Sequence, residues 1–235
     1  MLKLARLPSN EPEVFASIQG EGVTAGLPSV FVRLSLCNLR CGWCDTKYTW
    51  DWEHYDPKKE IVQQDAAEVV RRVAAAGPRN VVITGGEPLL QQRQLGPLAA
   101  ALKAAGHRIE VETNGTIAPE GELAEFVDQW NVSPKLANSD NEPDKREVPG
   151  ALAWFAASPR AYFKFVVVEP ADLAEVDDLV GRYAVPAERV LLMPEGNDPE
   201  TLSARGRWLV ERCRGRGHRF TMRLHVLLWG KERGR

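Results

Sequence analysis

Short apolar, β-branched runs punctuate the chain at 30–36, 80–84, 108–113, 130–133, 162–168 and 189–193, and each predicts a buried strand. Between several of them the apolar positions adopt helical spacing, over 65–76, 95–105, 121–128, 171–183 and 199–213. Strands alternating with helices imply an α/β fold built on about six parallel strands. Periodicity leaves two architectures open, an open doubly wound sheet and part of a (β/α) barrel. The stretch 136–159 breaks the pattern: Asn138-Ser139-Asp140-Asn141 and three prolines predict an irregular excursion.

The residues just past each strand are more informative than the strands themselves. Run 30–36 leads into a loop carrying Cys37, Cys41 and Cys44; run 80–84 leads into Gly85-Gly86-Glu87-Pro88. Run 108–113 leads into Asn114-Gly115, and run 130–133 into Ser133-Pro134-Lys135. In parallel α/β folds the carboxyl ends of the strands share one face, where loops converge on a ligand. One site assembled from many loops is the economical reading.

With 235 residues and 44% hydrophobic content the chain can bury one sizeable core, and no Pro/Gly/Ser linker divides it, so a single domain over 1–235 is expected. A net charge of −2 gives no global pull toward nucleic acid, and the basic stretch 205–219 reads as a solvated helical face. No apolar run reaches membrane-span length, and the opening residues lack a signal peptide's apolar core. The expectation is a cytoplasmic protein with no membrane or nucleic-acid partner.

The spacing C-x-x-x-C-x-x-C at Cys37, Cys41 and Cys44 changes the picture most. Four protein thiolates complete the ligand set of a cubane iron–sulfur cluster, so three leave one iron open to a small ligand. A structural zinc is the alternative, with His54 downstream, although the paired spacing of zinc sites has no second half here. Disulfides fit poorly in a chain of this length without a secretory leader. Cys213, in an Arg-rich stretch, reads as a bystander thiol. Gly85-Gly86 permits either a tight turn or close backbone approach.

Taken with the cysteine triplet, Gly85-Gly86-Glu87-Pro88 resembles the radical S-adenosylmethionine superfamily, whose two motifs serve one cofactor. The resemblance narrows with Ser17-Ile18-Gln19-Gly20-Glu21-Gly22, Trp43-Cys44-Asp45-Thr46 and Val132-Ser133-Pro134-Lys135-Leu136, which are similar to the 7-carboxy-7-deazaguanine synthase family. The resemblance implies a modified, incomplete (β/α) barrel that forms a homodimer, with short terminal extensions. It also implies a 4Fe–4S cluster whose open iron binds S-adenosylmethionine, a Mg2+ ion, and an electron donor such as flavodoxin or ferredoxin. The implied reaction is ring contraction of 6-carboxy-5,6,7,8-tetrahydropterin to 7-carboxy-7-deazaguanine with loss of ammonia. A glycyl-radical activase from the same superfamily would share the cysteines but need a groove for a protein loop.

The resemblance also implies roles. Cys37, Cys41 and Cys44 would ligate the cluster, and Thr46 the magnesium; Gly86, Ser133, Pro134 and Lys135 would meet S-adenosylmethionine, with Glu87 orienting that loop. Ile18, Gln19, Gly20 and Glu21 would read the pterin's amide and amine edge, with Thr84, Glu112 and His225 as further substrate contacts. Arg33, a charge inside Phe31-Val32-Arg33-Leu34, requires a partner. Two stand open, the substrate carboxylate and an internal acid. His225, between Leu224 and Val226, is either a substrate contact or a packed side chain.

Overall fold

The structure, a computed structural model, describes residues Met1–Arg235. Its ten strands are β1 (Leu2–Ala5), β2 (Val14–Ile18), β3 (Pro28–Leu34), β4 (Ile61–Gln64) and β5 (Asn80–Gly85), then β6 (Arg108–Thr113), β7 (Gln129–Val132), β8 (Ala161–Val167), β9 (Val190–Pro194) and β10 (Arg219–Phe220). All lie in one sheet in the order β10-β9-β8-β7-β6-β5-β3-β1-β4, with β2 also on β3. From β3 through β5 to β10 the strands are parallel and keep chain order without reversal. A doubly wound sheet reverses its strand order at a switch point, so this order resolves the choice in favour of an incomplete barrel. The sheet is open, since β4 and β10 do not pair.

The six expected strands are present, and β1, β2 and β4 add an antiparallel flank that the apolar pattern did not suggest. Helices Ala66–Ala76, Gln92–Ala104, Asp172–Arg182 and Pro199–Arg216 lie at the expected places. Asp65 and Asp198 start two of them by accepting the N–H of Glu68 and Thr201 at 2.7 and 2.8 Å. The expected helix 121–128 shortens to Leu123–Phe126, bracketed by Gly121 at φ 59° and an extended Val127. The stretch 136–159 is not irregular throughout, because Pro149–Ala157 is helical. It is apolar on every side and lacks a polar face to announce it. Trp154 and Phe155 instead pack edge-on against Trp130 at 5.8 and 5.6 Å.

Alternation along the parallel strands separates two faces. Val30, Val32, Val81, Ile83, Ile109, Val111, Trp130, Val132, Phe163 and Phe165 join the core under the helices. The alternate residues point inward, and many are polar. Low in the half-barrel Asn80 bonds Ser29 Oγ at 2.9 Å, Arg108 bonds Asn80 at 2.7 Å and also Glu110, and Asn131 bonds Glu110 at 3.0 Å. Gln129 accepts from Arg108 at 2.6 Å and donates to Asn131 at 2.8 Å. Buried polar groups are tolerated because they satisfy one another. No helix is long and apolar enough to cross a membrane.

Candidate active site

β3 stops at Leu34 because Leu36, at φ 78°, turns the chain out of the sheet, its N–H held by the Thr49 carbonyl at 2.7 Å. Cys37, Cys41 and Cys44 sit on the loop thus released, all free thiols lining one cavity. Each sulfur has an N–H donor: Leu39 N–H on Cys37 at 3.5 Å, Asn141 Nδ2 on Cys41 at 3.3 Å, and Trp50 Nε1 on Cys44 at 3.3 Å. Such donors suit iron-bound thiolate, whose potential is set partly by hydrogen bonds to sulfur. Burial pushes the Cys37 thiol up to about 12 and raises Cys41 as well, so both would ionise at neutral pH by binding a metal cation. No three His, Cys, Asp or Glu side chains converge on a single-ion point.

The segment expected to be an excursion is what braces this loop. Gly42 N–H bonds the Ser139 carbonyl at 3.1 Å, Arg40 N–H bonds Asn141 Oδ1 at 2.8 Å, and Trp43 Nε1 bonds the Asn138 carbonyl at 2.9 Å. Lys135 Nζ, 2.9 Å from the Ser133 carbonyl and hydroxyl oxygens, lies 5.6 Å from the Trp43 ring centre.

Gly85-Gly86 serves close approach. Gly85 has φ 138°, and a Cβ there would lie 2.7 Å from the Leu34 carbonyl carbon; one on Gly86 would lie 2.6 Å from Leu36 C and 3.0 Å from Cys37 Cβ. Gly86 and Glu87 N–H groups bond the Leu34 and Leu36 carbonyls at 3.1 and 2.7 Å, docking this turn against the cysteine loop. Glu87 is fully buried and takes bonds from Leu89 N, Thr113 Oγ1 and Asn114 N at 3.0, 2.9 and 2.7 Å. Its place is behind the cavity wall, holding β5 and β6 ends together. Glu87, expected to orient the loop, does not line the cavity, and neither does Pro134, which the sequence assigned to cofactor contact. Pro134 instead lines a small apolar crevice together with Leu152, Phe163 and Phe165.

The other selected residues do converge. Ile18, Gln19, Gly20, Glu21, Arg33, Thr84, Gly86, Glu112, Ser133, Lys135 and His225 line the cavity that holds the cysteines and Thr46. It encloses about 220 Å³, an order of magnitude more than one water needs. Glu112 accepts from Gln19 Nε2 at 3.2 Å and Thr84 Oγ1 at 3.3 Å. Arg33 Nε bonds Glu13 Oε1 at 2.7 Å, so the internal acid exists; its terminal nitrogens make no bond within the chain and the residue faces the cavity. Thr46 Oγ1 lies 3.6 Å from Cys44 Sγ and caps no N–H of the turn Lys47–Thr49. Its hydroxyl is therefore available to a ligand.

Charged residues of the wall were missed, Asp45, Lys164, Glu195 and Arg223 among them. Lys164 pairs with Glu21 Oε2, and Arg223 bonds Glu21 Oε1 at 3.1 Å, Asp45, and the Gly196 carbonyl at 2.8 Å. Burial by itself would raise the Glu21 carboxyl, but Lys164 and Arg223 outweigh it and hold it far below the usual carboxylate range. The C-terminal segment is pinned to this loop, with Leu224 N–H on the Gly20 carbonyl at 2.9 Å and Gly22 N–H on Thr221 Oγ1 at 2.8 Å. The His225 ring rests against Gly20, where a Cβ would lie 3.1 Å from its Cγ. Lys164 could have been found by the signal that found Arg33, a lone charge in an apolar strand. Asp45 and Arg223 carry no such mark.

Over 225 residues the chain is 42% identical to 7-carboxy-7-deazaguanine synthase of Pyrobaculum aerophilum, covering 95% of this chain and 96% of that one. The chain belongs to the 7-carboxy-7-deazaguanine synthase family. The synthase of Rhodopirellula baltica is 34% identical over 236 residues, covering 94% of this chain and 87% of its own. The Radical SAM superfamily matches residues 32–142, from β3 through the segment that braces the cysteines. The crystal structure of QueE from Escherichia coli superposes with a TM-score of 0.70 at 27% identity, covering 95% of this chain and 94% of that one. This synthase-family enzyme uses a 4Fe–4S cluster and S-adenosylmethionine, and the donor set on its three sulfurs fits such a cluster.

Proposed function

We propose that the enzyme converts 6-carboxy-5,6,7,8-tetrahydropterin to 7-carboxy-7-deazaguanine with loss of ammonia, on the route to queuosine and related deazaguanines. One observation carries the reading: the cavity that holds the cysteines also gathers Gln19, Glu21 and Glu112 beside the Arg33 guanidinium. When bound, the cluster and S-adenosylmethionine supply the electron and the adenosyl radical. The chain's own residues recognise and orient. Glu21, kept ionised, accepts from the N–H edge of a pterin, and the Gln19 amide matches its mixed donors and acceptors. The free terminal nitrogens of Arg33 suit a planar carboxylate. Gly86, Ser133 and Lys135 are assigned to S-adenosylmethionine. Anaerobic incubation with the pterin, S-adenosylmethionine and reductant, read by mass spectrometry, tests this. Cleavage of S-adenosylmethionine without any deazaguanine would redirect the search toward another substrate, a glycyl-radical activase's protein loop included.

The same proposal extends to the working assembly: a homodimer in the cytoplasm, reduced by flavodoxin or ferredoxin. One sheet over a core of 35 buried residues supports reading 1–235 as one radical SAM domain. Arg33→Lys lowers turnover about tenfold to a hundredfold, the scale of one charged hydrogen bond, because an ammonium cannot reproduce the two-donor fork. Iron content stays at the parent level. Loss of iron instead would make Arg33 purely the partner of Glu13.

Magnesium at Thr46 is part of the proposal. A hydroxyl, a substrate carboxylate and waters suit this hard cation, which would orient the pterin rather than take part in redox chemistry. Thr46→Ala weakens magnesium stimulation of turnover, and Thr46→Ser retains much of it. Equal magnesium dependence in all three proteins would remove Thr46 from the site.

A further inference from the structure

Glu13 is 1% exposed and carries three donors. Arg33 Nε meets Oε1 at 2.7 Å, the Tyr48 hydroxyl lies 3.1 Å from both oxygens, and Arg233 Nε meets Oε2 at 3.3 Å. Arg233 arrives from 220 positions along the chain. It is firmly seated: its guanidinium lies 3.3 Å from the Tyr48 ring centre, and its Nη2 bonds Glu60 Oε2 at 3.1 Å and the Arg6 carbonyl.

One carboxylate facing one arginine takes it bidentately, through two nitrogens of the fork. Here Arg233 sits on Oε2, the Tyr48 hydroxyl is shared between both oxygens, and Arg33 makes a single bond, on Oε1. Its two terminal nitrogens remain without a bond in the chain, on a residue that lines the cavity. We propose that Arg233 is a positioning residue for Arg33: by occupying Oε2 of Glu13 it keeps the Arg33 fork free for the carboxylate of the substrate. The inference rests on the carboxylated pterin being the substrate. Without Arg233, Oε2 of Glu13 keeps only the shared Tyr48 hydroxyl and draws an Arg33 terminal nitrogen away from the cavity.

The test is calorimetric binding to full-length, cluster-loaded protein with S-adenosylmethionine and no reductant, comparing 6-carboxypterin with pterin, which lacks the carboxylate. The parent prefers 6-carboxypterin. Arg233→Met weakens 6-carboxypterin about tenfold, the scale of one charge-assisted hydrogen bond, and leaves pterin unchanged. Adding Glu13→Gln to Arg233→Met restores most of the loss, because no carboxylate competes for the fork. A role in stability alone would lower both ligands together, or lower neither, and either result overturns the proposal, as does failure of the second substitution to restore affinity. Should Arg233→Met not fold, Arg233→Leu, which likewise leaves no donor for Oε2, decides: a loss confined to 6-carboxypterin supports the proposal and parent-like affinity overturns it. A parent protein that binds both pterins equally overturns the substrate reading beneath it.

Discussion

Cys41→Ala abolishes reductive cleavage of S-adenosylmethionine, whereas Cys213→Ala leaves it at the parent rate. Cys41 lies on the cavity wall with Asn141 Nδ2 on its sulfur, and a cubane already held by three thiolates has no protein ligand to spare. Cys213 is also buried but belongs to the hydrophobic core, its sulfur facing the Arg219 carbonyl at 3.5 Å. Burial pushes that thiol up to about 11, which keeps it protonated. Its removal costs about 1 kcal/mol of packing at most. Anaerobic purification, iron analysis and 5′-deoxyadenosine release measure both variants. Parent iron content, about four per chain for a cubane, together with parent cleavage in Cys41→Ala would refute the cluster assignment.

Gly86→Ala lowers cleavage by about a hundredfold, the loss that an ~1 Å misplacement of reacting groups produces. The added methyl meets backbone, namely Leu36 C at 2.6 Å, and Cys37 Cβ at 3.0 Å, and neither is the mobile end of a side chain. Two bonds from Gly86 and Glu87 to the Leu34 and Leu36 carbonyls bind the turn to the cysteine loop, so relief of the overlap must shift one against the other. Stability falls by about 1–3 kcal/mol, as in other overpacked sites. Titration of S-adenosylmethionine into the anaerobic protein, together with thermal melting, separates weakened binding from lost fold. Unchanged affinity and cleavage would mean that the two loops do not need their close approach.

The parallel strands were legible because each is a compact apolar run ending in turn chemistry, as Val81-Val82-Ile83-Thr84 ends in Gly85-Gly86. β1 and β4 were not, since two four-residue strands offer too few alternations to separate from loop. The helix Pro149–Ala157 was hidden by uniform hydrophobicity, which erases periodicity. Within the site, the cysteines could be found because their spacing is local, and the glycine pair and Gln19-Gly20-Glu21 because they fall in short contiguous motifs that carry the family resemblance. Glu13, Asp45 and Arg223 could not, because their partners lie up to 220 positions away. Only tertiary pairing reveals why a solvent-like glutamate near the start of the chain is buried.

The hydrogen-bonded side chains low in the half-barrel act as a vernier for the strands above them. A slip of one residue would turn each strand inside out, and the apolar face alone forbids that. A slip of two would keep every valine facing the helices and go almost unopposed by hydrophobic packing, since Val81 and Ile83 are near equivalents. Directional bonds do oppose it: Asn80 to Ser29, Arg108 to Asn80 and Asn131 to Glu110 each link one height on one strand to one height on the next. Two residues of slip move a strand end by about 6.6 Å, enough to carry Thr84 or Glu112 out of hydrogen-bonding range of its neighbour. The polar teeth at the foot of the sheet thereby set the elevation at which the loops above them meet.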